Sequence, residues 1–311
     1  MSAPGAPRLG SDEVHVWSAR LDPTPATLAA LAGSLTDAER ALAERRVAER
    51  LRTRALASRG FLRAVLGRYL GCPPEAVALV QGARGKPMLG TVEVQAADGS
   101  PDARRGSESA APADRDARPA RPDHPAAATP RAPFRAPTPS SDAAPAVAHP
   151  PVPRNSIQGA GQPPVPASEL RFNLSHADDF ALLALALGRA VGVDVEPADR
   201  RVDLEPIAER FFAPAERAAL FALPPTARLA GFLELWTRKE AYLKARGDGL
   251  RADLAAFAAT LGPHPRLTPI GDALDADGWT IRHLEPAPGF VAALVVRGRA
   301  PVSVRSFAWR G

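Results

Sequence analysis

The sequence predicts an α+β fold of two similar halves with a site between them, and three observations carry that reading. The first is an internal rhyme: GFLRAVLGRYLG (Gly60–Gly71) corresponds to ELWTRKEAYLKARG (Glu234–Gly247), and FALLALALG (Phe180–Gly188) to FVAALVVRG (Phe290–Gly298). The second is the switch of hydrophobic period within each half, from 3.6 residues in helical stretches to 2 in strands. The third is composition: 45 % of the 311 residues are hydrophobic, enough to fill the core of one large domain or two smaller ones.

Each element follows from its local pattern. Val14–Ser18 alternates and reads as a strand. Thr36 and Glu39 have the spacing of a capping box and open a helix over Ala38–Arg46. A longer helix runs from Arg54, with Leu62, Val65, Leu66 and Tyr69 on one stripe and Gly71 stopping it. Ala76–Gly82 is a short strand. Arg171–His176, Phe180–Gly188 and Ala190–Glu196 read as three strands joined by short turns. Leu204–Phe212 and Ala213–Leu223 are short helices, and Ala227–Gly247 is one helix ended by Gly247. Gly278–Pro286 and Gly289–Gly298 form a last pair of strands.

From about 91 to 168 the text changes. Sixteen of the 34 prolines fall between Pro101 and Pro166, with no helical or strand period. Such a segment buries too little apolar surface to offset its chain entropy and is expected to be disordered. Its flanks favour an insertion in one domain over a linker between two, because Lys86–Leu89 closes a structured region and Leu170 opens one without a cap. A long surface insertion is cheap, since closure entropy grows only with the logarithm of length. The halves are then 11–190, which carries the insertion, and 191–308.

Composition excludes several classes. The only cysteine is Cys72, so no internal disulfide forms and a reducing cytoplasm is expected. No signal peptide is read at the start. The longest clean apolar run, Phe180–Gly188, is too short to span a bilayer. The net charge of +5 reflects arginine more than nucleic-acid binding: of 39 Lys plus Arg, only Lys86, Lys239 and Lys244 are lysine. Lysine is a compact point charge and arginine a planar fork. Two of these three lysines stand in WTRKEAYLK, Trp236–Lys244.

In VGVDVE, Val191–Glu196, the valines alternate with Gly192, Asp194 and Glu196, so the two acids share a strand face with Gly192 leaving room beside them. That spacing describes an exposed edge as well as it describes a site. Glu240 and Lys244 are helical neighbours that could be a plain surface ion pair. Taken together, Asp194, Glu196 and Glu240 could hold Mg²⁺, which takes carboxylate oxygens, waters and substrate phosphates. Lysine beside such a site is a mobile phosphate binder. Ser175 and His176 end a strand. As adjacent strand residues they point to opposite faces and do not make a nucleophilic pair.

In this order, GKP, FNLSH, GVDVE and WTRKEAYLKARGDGL resemble the motifs of phosphopantetheinyl transferases of the larger, surfactin-synthetase-activating type. The resemblance covers the chain outside 91–168. It implies a pseudo-dimer of two α+β halves with coenzyme A in the cleft, acting as a monomer. The reaction implied is Mg²⁺-dependent transfer of the 4′-phosphopantetheine arm of coenzyme A to a serine of an apo acyl or peptidyl carrier protein, releasing 3′,5′-ADP. It implies metal ligation by Asp194, Glu196 and Glu240, and catalysis by Glu240 and Lys244. It places coenzyme contacts at Arg59, Lys86, Ser175, His176, Asp194, Lys239 and Lys244. Arg40, Arg45 and Arg46 are further basic candidates, and Glu216 matches a family glutamate without a stated role. The rival readings are a metal-dependent nuclease or phosphodiesterase and a non-catalytic Arg-rich nucleic-acid-binding protein. The first needs a lysine close behind the second acid, but Pro197 and Ala198 follow Glu196. The second needs aromatics interleaved with the basic residues. Neither nucleic acid nor a membrane is expected as a partner.

Overall fold

The computed structural model describes residues 7–82, 86–90, 164–247, 253–270 and 278–311. Strand β1 (Glu13–Arg20) is followed by helices α1 (Pro25–Gly33), α2 (Asp37–Glu44) and α3 (Glu49–Leu70). A small hairpin follows, β2 (Leu79–Gln81) with β3 (Pro87–Leu89). After the segment outside the description come β4 (Leu170–Ala177), β5 (Phe180–Leu187) and β6 (Val191–Pro197). Three helices lead on, α4 (Leu204–Phe211), α5 (Pro214–Phe221) and α6 (Pro225–Arg246). The remainder is β7 (Phe257–Ala259), β8 (Leu267–Pro269), β9 (Trp279–Leu284), β10 (Phe290–Arg297) and β11 (Ser303–Ala308).

Two sheets form the centre. The first has the order β11-β1-β5-β4, with β1 and β11 parallel and the other pairs antiparallel. The second is β6-β10-β9, antiparallel throughout. Strand β5 explains its own text. Ala181, Leu183 and Leu185 pack with Phe61, Leu62, Val65 and Leu66 of α3. Leu182, Ala184 and Ala186 face the other way, into Val191, Val193, Val195, Ala292 and Leu294. A strand buried on both faces needs an unbroken apolar run rather than alternation. Behind the second sheet, Ala241, Tyr242 and Ala245 of α6 meet Ala293, Val295 and Ile281. The layer order is α3, first sheet, second sheet, α6. This bears out a mixed α and β fold.

The long helices stop where expected. Gly71 and Gly247 take left-handed backbone angles, φ 66° and 80°, that L side chains rarely adopt. The Thr36–Glu39 capping box forms in both directions. Strand β3 and the β7–β8 hairpin were not foreseen, and neither were three further features. Helix α1 begins at the Thr24 cap with Pro25 in its first turn. Strand β11 carries the end of the chain back to pair with β1. The fold also takes in residues before Ser168: Val165 is buried in the first core, and its N–H donates to Tyr69 O at 2.9 Å. The rest of the proline-rich stretch, 91–163, lies outside the described residues.

Candidate active site

The site is assembled where β4, β6, α6 and the small hairpin meet. Gly192 sets the approach of α6. A methyl group on it would stand 2.1 Å from Ala241 O and 2.4 Å from Ala245 N, so only a residue without Cβ lets the helix backbone lie on β6. The room read beside the acids is therefore taken by the backbone of α6. With Ala241 and Ala245 as the contact, Glu240 and Lys244 come to the strand face that carries Asp194 and Glu196.

A side chain of β4 joins the two sheets. Asn173 Oδ1 accepts the N–H of Val193 at 2.8 Å in the buried interior. Sequence reasoning assigned no role to Asn173, although it stands inside FNLSH. Two residues on, and so on the same face, Ser175 Oγ donates to Asp194 Oδ1 at 3.0 Å. Lys244 Nζ donates to the same two atoms, at 2.9 Å to Ser175 Oγ and 2.5 Å to Asp194 Oδ1. Asp194 is 5 % exposed, and its Oδ2 is buried without a hydrogen-bond partner. Lys86, from the hairpin, donates to the backbone carbonyl of Lys244 at 2.7 Å.

The electrostatics record crowded like charges. Burial and then Asp194 push the Glu240 carboxyl above the ordinary range, with Glu196 adding to the rise. Burial and Asp194 raise Glu196 too, against the pull of Arg200, with which it is paired. Burial and the neighbouring Lys244 charge push the Lys86 ammonium down. His176 stands on the solvent side of β4. Partial desolvation and the charges of Lys244, Arg46 and Arg54 hold it below the usual histidine value. Arg54 is ion-paired with Asp178 at 3.7 Å, and its Nη2 is buried without a partner.

Two expected site residues lie elsewhere. The Lys239 side chain is fully buried, donating to Glu216 Oε2 and to Phe257 O, both at 2.6 Å, with its Nζ 4.3 Å from the Phe257 ring centroid. Glu216 also accepts the N–H groups of Ala213 and Ala259 at 2.8 and 2.7 Å. Burial pushes the glutamate up and the lysine down. The Lys239 ammonium thus points away from Lys244 into a slot lined by phenylalanine, and two of its three N–H donors are taken inside the fold. Arg59 also departs from expectation, pairing with Glu39 at 3.3 Å, and Arg63 takes the same carboxylate at 2.8 Å. Among the described residues Arg59 makes no hydrogen bond or ion pair with the Ser175, Asp194 and Lys244 group. Arg54 and Arg46 are the arginines whose charge reaches His176. Arg54 stands on another face of α3 than Arg59, which a helical wheel anchored on the buried stripe would have indicated, while Arg46 lies in the connection between α2 and α3.

The donor set suits a hard dication. Asp194, Glu196 and Glu240 offer oxygen ligands, Asp194 Oδ2 is an orphaned buried acceptor, and the mutual repulsion of the acids is what a dication relieves. Among the described residues no three acid, histidine or cysteine side chains are already arranged to hold a metal ion. In this arrangement Lys244 supplies the counter-charge to Asp194.

Comparison with known proteins adds the following. A model described as the 4′-phosphopantetheinyl transferase superfamily matches residues 190–295. The chain is 32 % identical to the 4′-phosphopantetheinyl transferase HetI of Nostoc sp. over 290 residues, covering 93 % of this chain and 90 % of that one. It is 33 % identical to the 4′-phosphopantetheinyl transferase Sfp of Bacillus subtilis over 109 residues, 35 % of this chain and 47 % of Sfp. Among solved structures, the holo-[acyl-carrier-protein] synthase of Thermotoga maritima aligns with a TM-score of 0.31 and 24 % identity, covering 36 % of this chain and 64 % of that one.

Proposed function

The chain belongs to the 4′-phosphopantetheinyl transferase family, and on that premise we propose how this chain carries out the transfer. The substrates are coenzyme A and an apo acyl or peptidyl carrier protein. The carrier serine Oγ attacks the phosphorus next to the pantetheine arm, the bond to the bridging pyrophosphate oxygen breaks, and 3′,5′-ADP leaves. The observation that carries the proposal is the convergence of Asp194, Ser175, Lys244 and Lys86 from four separate elements on one spot.

Each residue has a role that its chemistry permits. Lys244 neutralises charge that develops on the pyrophosphate as the bond breaks. Lys86 leaves the carbonyl of Lys244 to hold a phosphate oxygen that does not react. His176, with Arg46 and Arg54 around it, faces the anionic end of the nucleotide. Glu240 takes the serine proton, directly or through a water. Asp194, Glu196 and Glu240 would hold Mg²⁺, which when bound supplies Lewis-acid polarisation of the phosphoryl oxygens.

The architecture fits two similar halves, 11–190 and 191–308, each a sheet backed by its long helix, with β11 lent by the second half to the sheet of the first. The chain is read as a cytoplasmic monomer. Among the described residues no helix is long and apolar enough to cross a membrane. Neither the nuclease nor the nucleic-acid reading finds support. The test is incubation with coenzyme A, Mg²⁺ and a panel of apo carrier proteins. The expected result is a mass gain of one phosphopantetheine arm on the carrier serine, lost in Asp194→Ala and Glu240→Ala. Near-normal turnover of either variant at saturating Mg²⁺ would remove the metal assignment.

A further inference from the structure

We infer that the buried Lys239–Glu216 pair is a positioning device for the transfer: it fixes the roll of α6 about its own axis and so aims Glu240 and Lys244 at the acids of β6. The inference rests on the roles given to Glu240 and Lys244 above and adds the element that holds them in line.

Two consecutive cations of α6 reach into β7 and the loop behind it. Lys239 Nζ donates to Phe257 O and to Glu216 Oε2, both at 2.6 Å. Glu216 in turn accepts the N–H of Ala259 at 2.7 Å and that of Ala213, just ahead of α5, at 2.8 Å. Arg238 donates to Thr260 O and, at 2.9 Å, to Gly262 O. It pairs with Glu234 at 3.0 Å, and Glu234 accepts the N–H of Gly262 at 3.2 Å. Each cation thus takes carbonyls of the segment 257–262 while its own acid takes an N–H of the same segment. Both cation side chains are buried, 0 % and 1 % exposed. Apolar packing lets a helix roll at little cost. A donor held between two fixed acceptors resists it, because hydrogen bonds are directional.

The placement of this grip around the helix decides its effect. Measured from Ala241, which lies on β6 together with Ala245, Arg238 and Lys239 stand at about 60° and 160°, and Glu240 and Lys244 at about 260° and 300°. The gripped flank is therefore nearly opposite the working flank. The contact at Gly192 sets how close α6 comes to β6, but one line of contact leaves a helix free to roll on it. The hold from β7 removes that freedom. Side-chain tips lie about 5–6 Å from the axis, so a roll of about 10° moves Glu240 by about 1 Å. A misplacement of about 1 Å costs on the order of a hundredfold in rate. Stability alone does not call for a charged pair here. Replacing a buried ion pair by apolar side chains of similar volume is often neutral or stabilising, and fixing a register is the best-attested use of keeping one.

The test compares two variants that both weaken the fold. Lys239→Met with Glu216→Gln removes the pair, and Leu183→Ala opens the first core, on the far side of both sheets from α6. Both are assayed for transfer with coenzyme A, Mg²⁺ and an apo carrier protein, at a temperature where each is folded. The paired variant is expected to lose kcat by about tenfold to a hundredfold, with KM for coenzyme A changed by less than about threefold. Leu183→Ala should keep kcat within about twofold even where its urea midpoint falls as far. A second readout needs no turnover. Lys86, Lys239 and Lys244 are the only lysines, so brief acetylation followed by mass spectrometry reads them one by one. Lys244 should be acetylated about threefold faster or more in the paired variant, as its contact with Asp194 loosens, and at the unmodified rate in Leu183→Ala. If the paired variant does not fold, Glu216→Gln alone, which keeps the shape of the side chain and removes its charge, carries both measurements, with smaller shifts in the same direction. Equal kcat in the paired variant and in Leu183→Ala would make the pair an element of stability only and overturn the inference. So would faster acetylation of Lys244 without loss of kcat. Near-normal turnover of Glu240→Ala would instead remove the reading on which the inference rests, and the inference with it.

Discussion

Gly192→Ala is a small change with a calculable consequence. The added methyl would lie 2.1 Å from Ala241 O, where ordinary contact begins near 3.4 Å, and 2.4 Å from Ala245 N. Both are backbone atoms of α6, so no side-chain rotation relieves the clash. The helix must retreat from β6 by about 1.3 Å. Overpacking of this kind costs about 1–3 kcal/mol, which outweighs the roughly 0.5–1 kcal/mol that replacing a strand glycine gains. A retreat of that size also carries the Lys244–Asp194 contact from 2.5 Å to about 3.8 Å, outside hydrogen-bond range. Glu240 travels with it. Misplacement by about 1 Å costs on the order of a hundredfold in rate. The assays are urea unfolding and phosphopantetheine transfer to an apo carrier protein, measured on the same preparation. The expected outcome is a lower urea midpoint together with a hundredfold lower kcat. Unchanged stability and turnover would refute the claim that the absence of a Cβ at 192 sets the distance between β6 and α6.

Lys239→Met should destabilise the fold by about 3–5 kcal/mol, because it removes the ammonium partner of the buried Glu216 carboxyl. The double variant with Glu216→Gln should recover part of that in urea unfolding, and no recovery would argue against the pair. The His15 imidazole, fully buried, is pushed down to about 4 by burial, although Glu13 beside it pulls the other way. Below pH 6.5 the unfolded chain binds the proton that the folded chain refuses. Stability should therefore fall as pH drops from about 6.5 to about 4, by about 3 kcal/mol in all, and His15→Phe should flatten that slope. Deleting 92–162 should leave melting temperature and turnover unchanged. The cut must stop short of Pro164, because Val165 is part of the core. A folded but inactive deletion would show that the segment takes part in the reaction.

Much of this was present in the text of the chain. Local rules suffice for α3 and α6, whose apolar stripes and terminal glycines mark them, and for β5, β6 and β10. The ordered motifs were enough to propose Asp194, Ser175, Lys86 and Lys244 as companions, and the structure brings these four together. What local pattern could not supply is partnership at a distance. Strand β11 pairs with a strand almost the whole chain away, and nothing within Ser303–Ala308 encodes that pairing. Lys239 and Lys244 look alike in WTRKEAYLK, yet five residues along a helix turn them about 140° apart. One lysine enters a dry slot with Glu216 and the other reaches Asp194. Which face of α6 meets the strand is decided by the close contact at Gly192, together with Ala241 and Ala245. Helical period tells which residues share a face. Only packing decides which face is buried, and burial separates a structural charge from a working one, because the cost of desolvating an ion depends on what surrounds it.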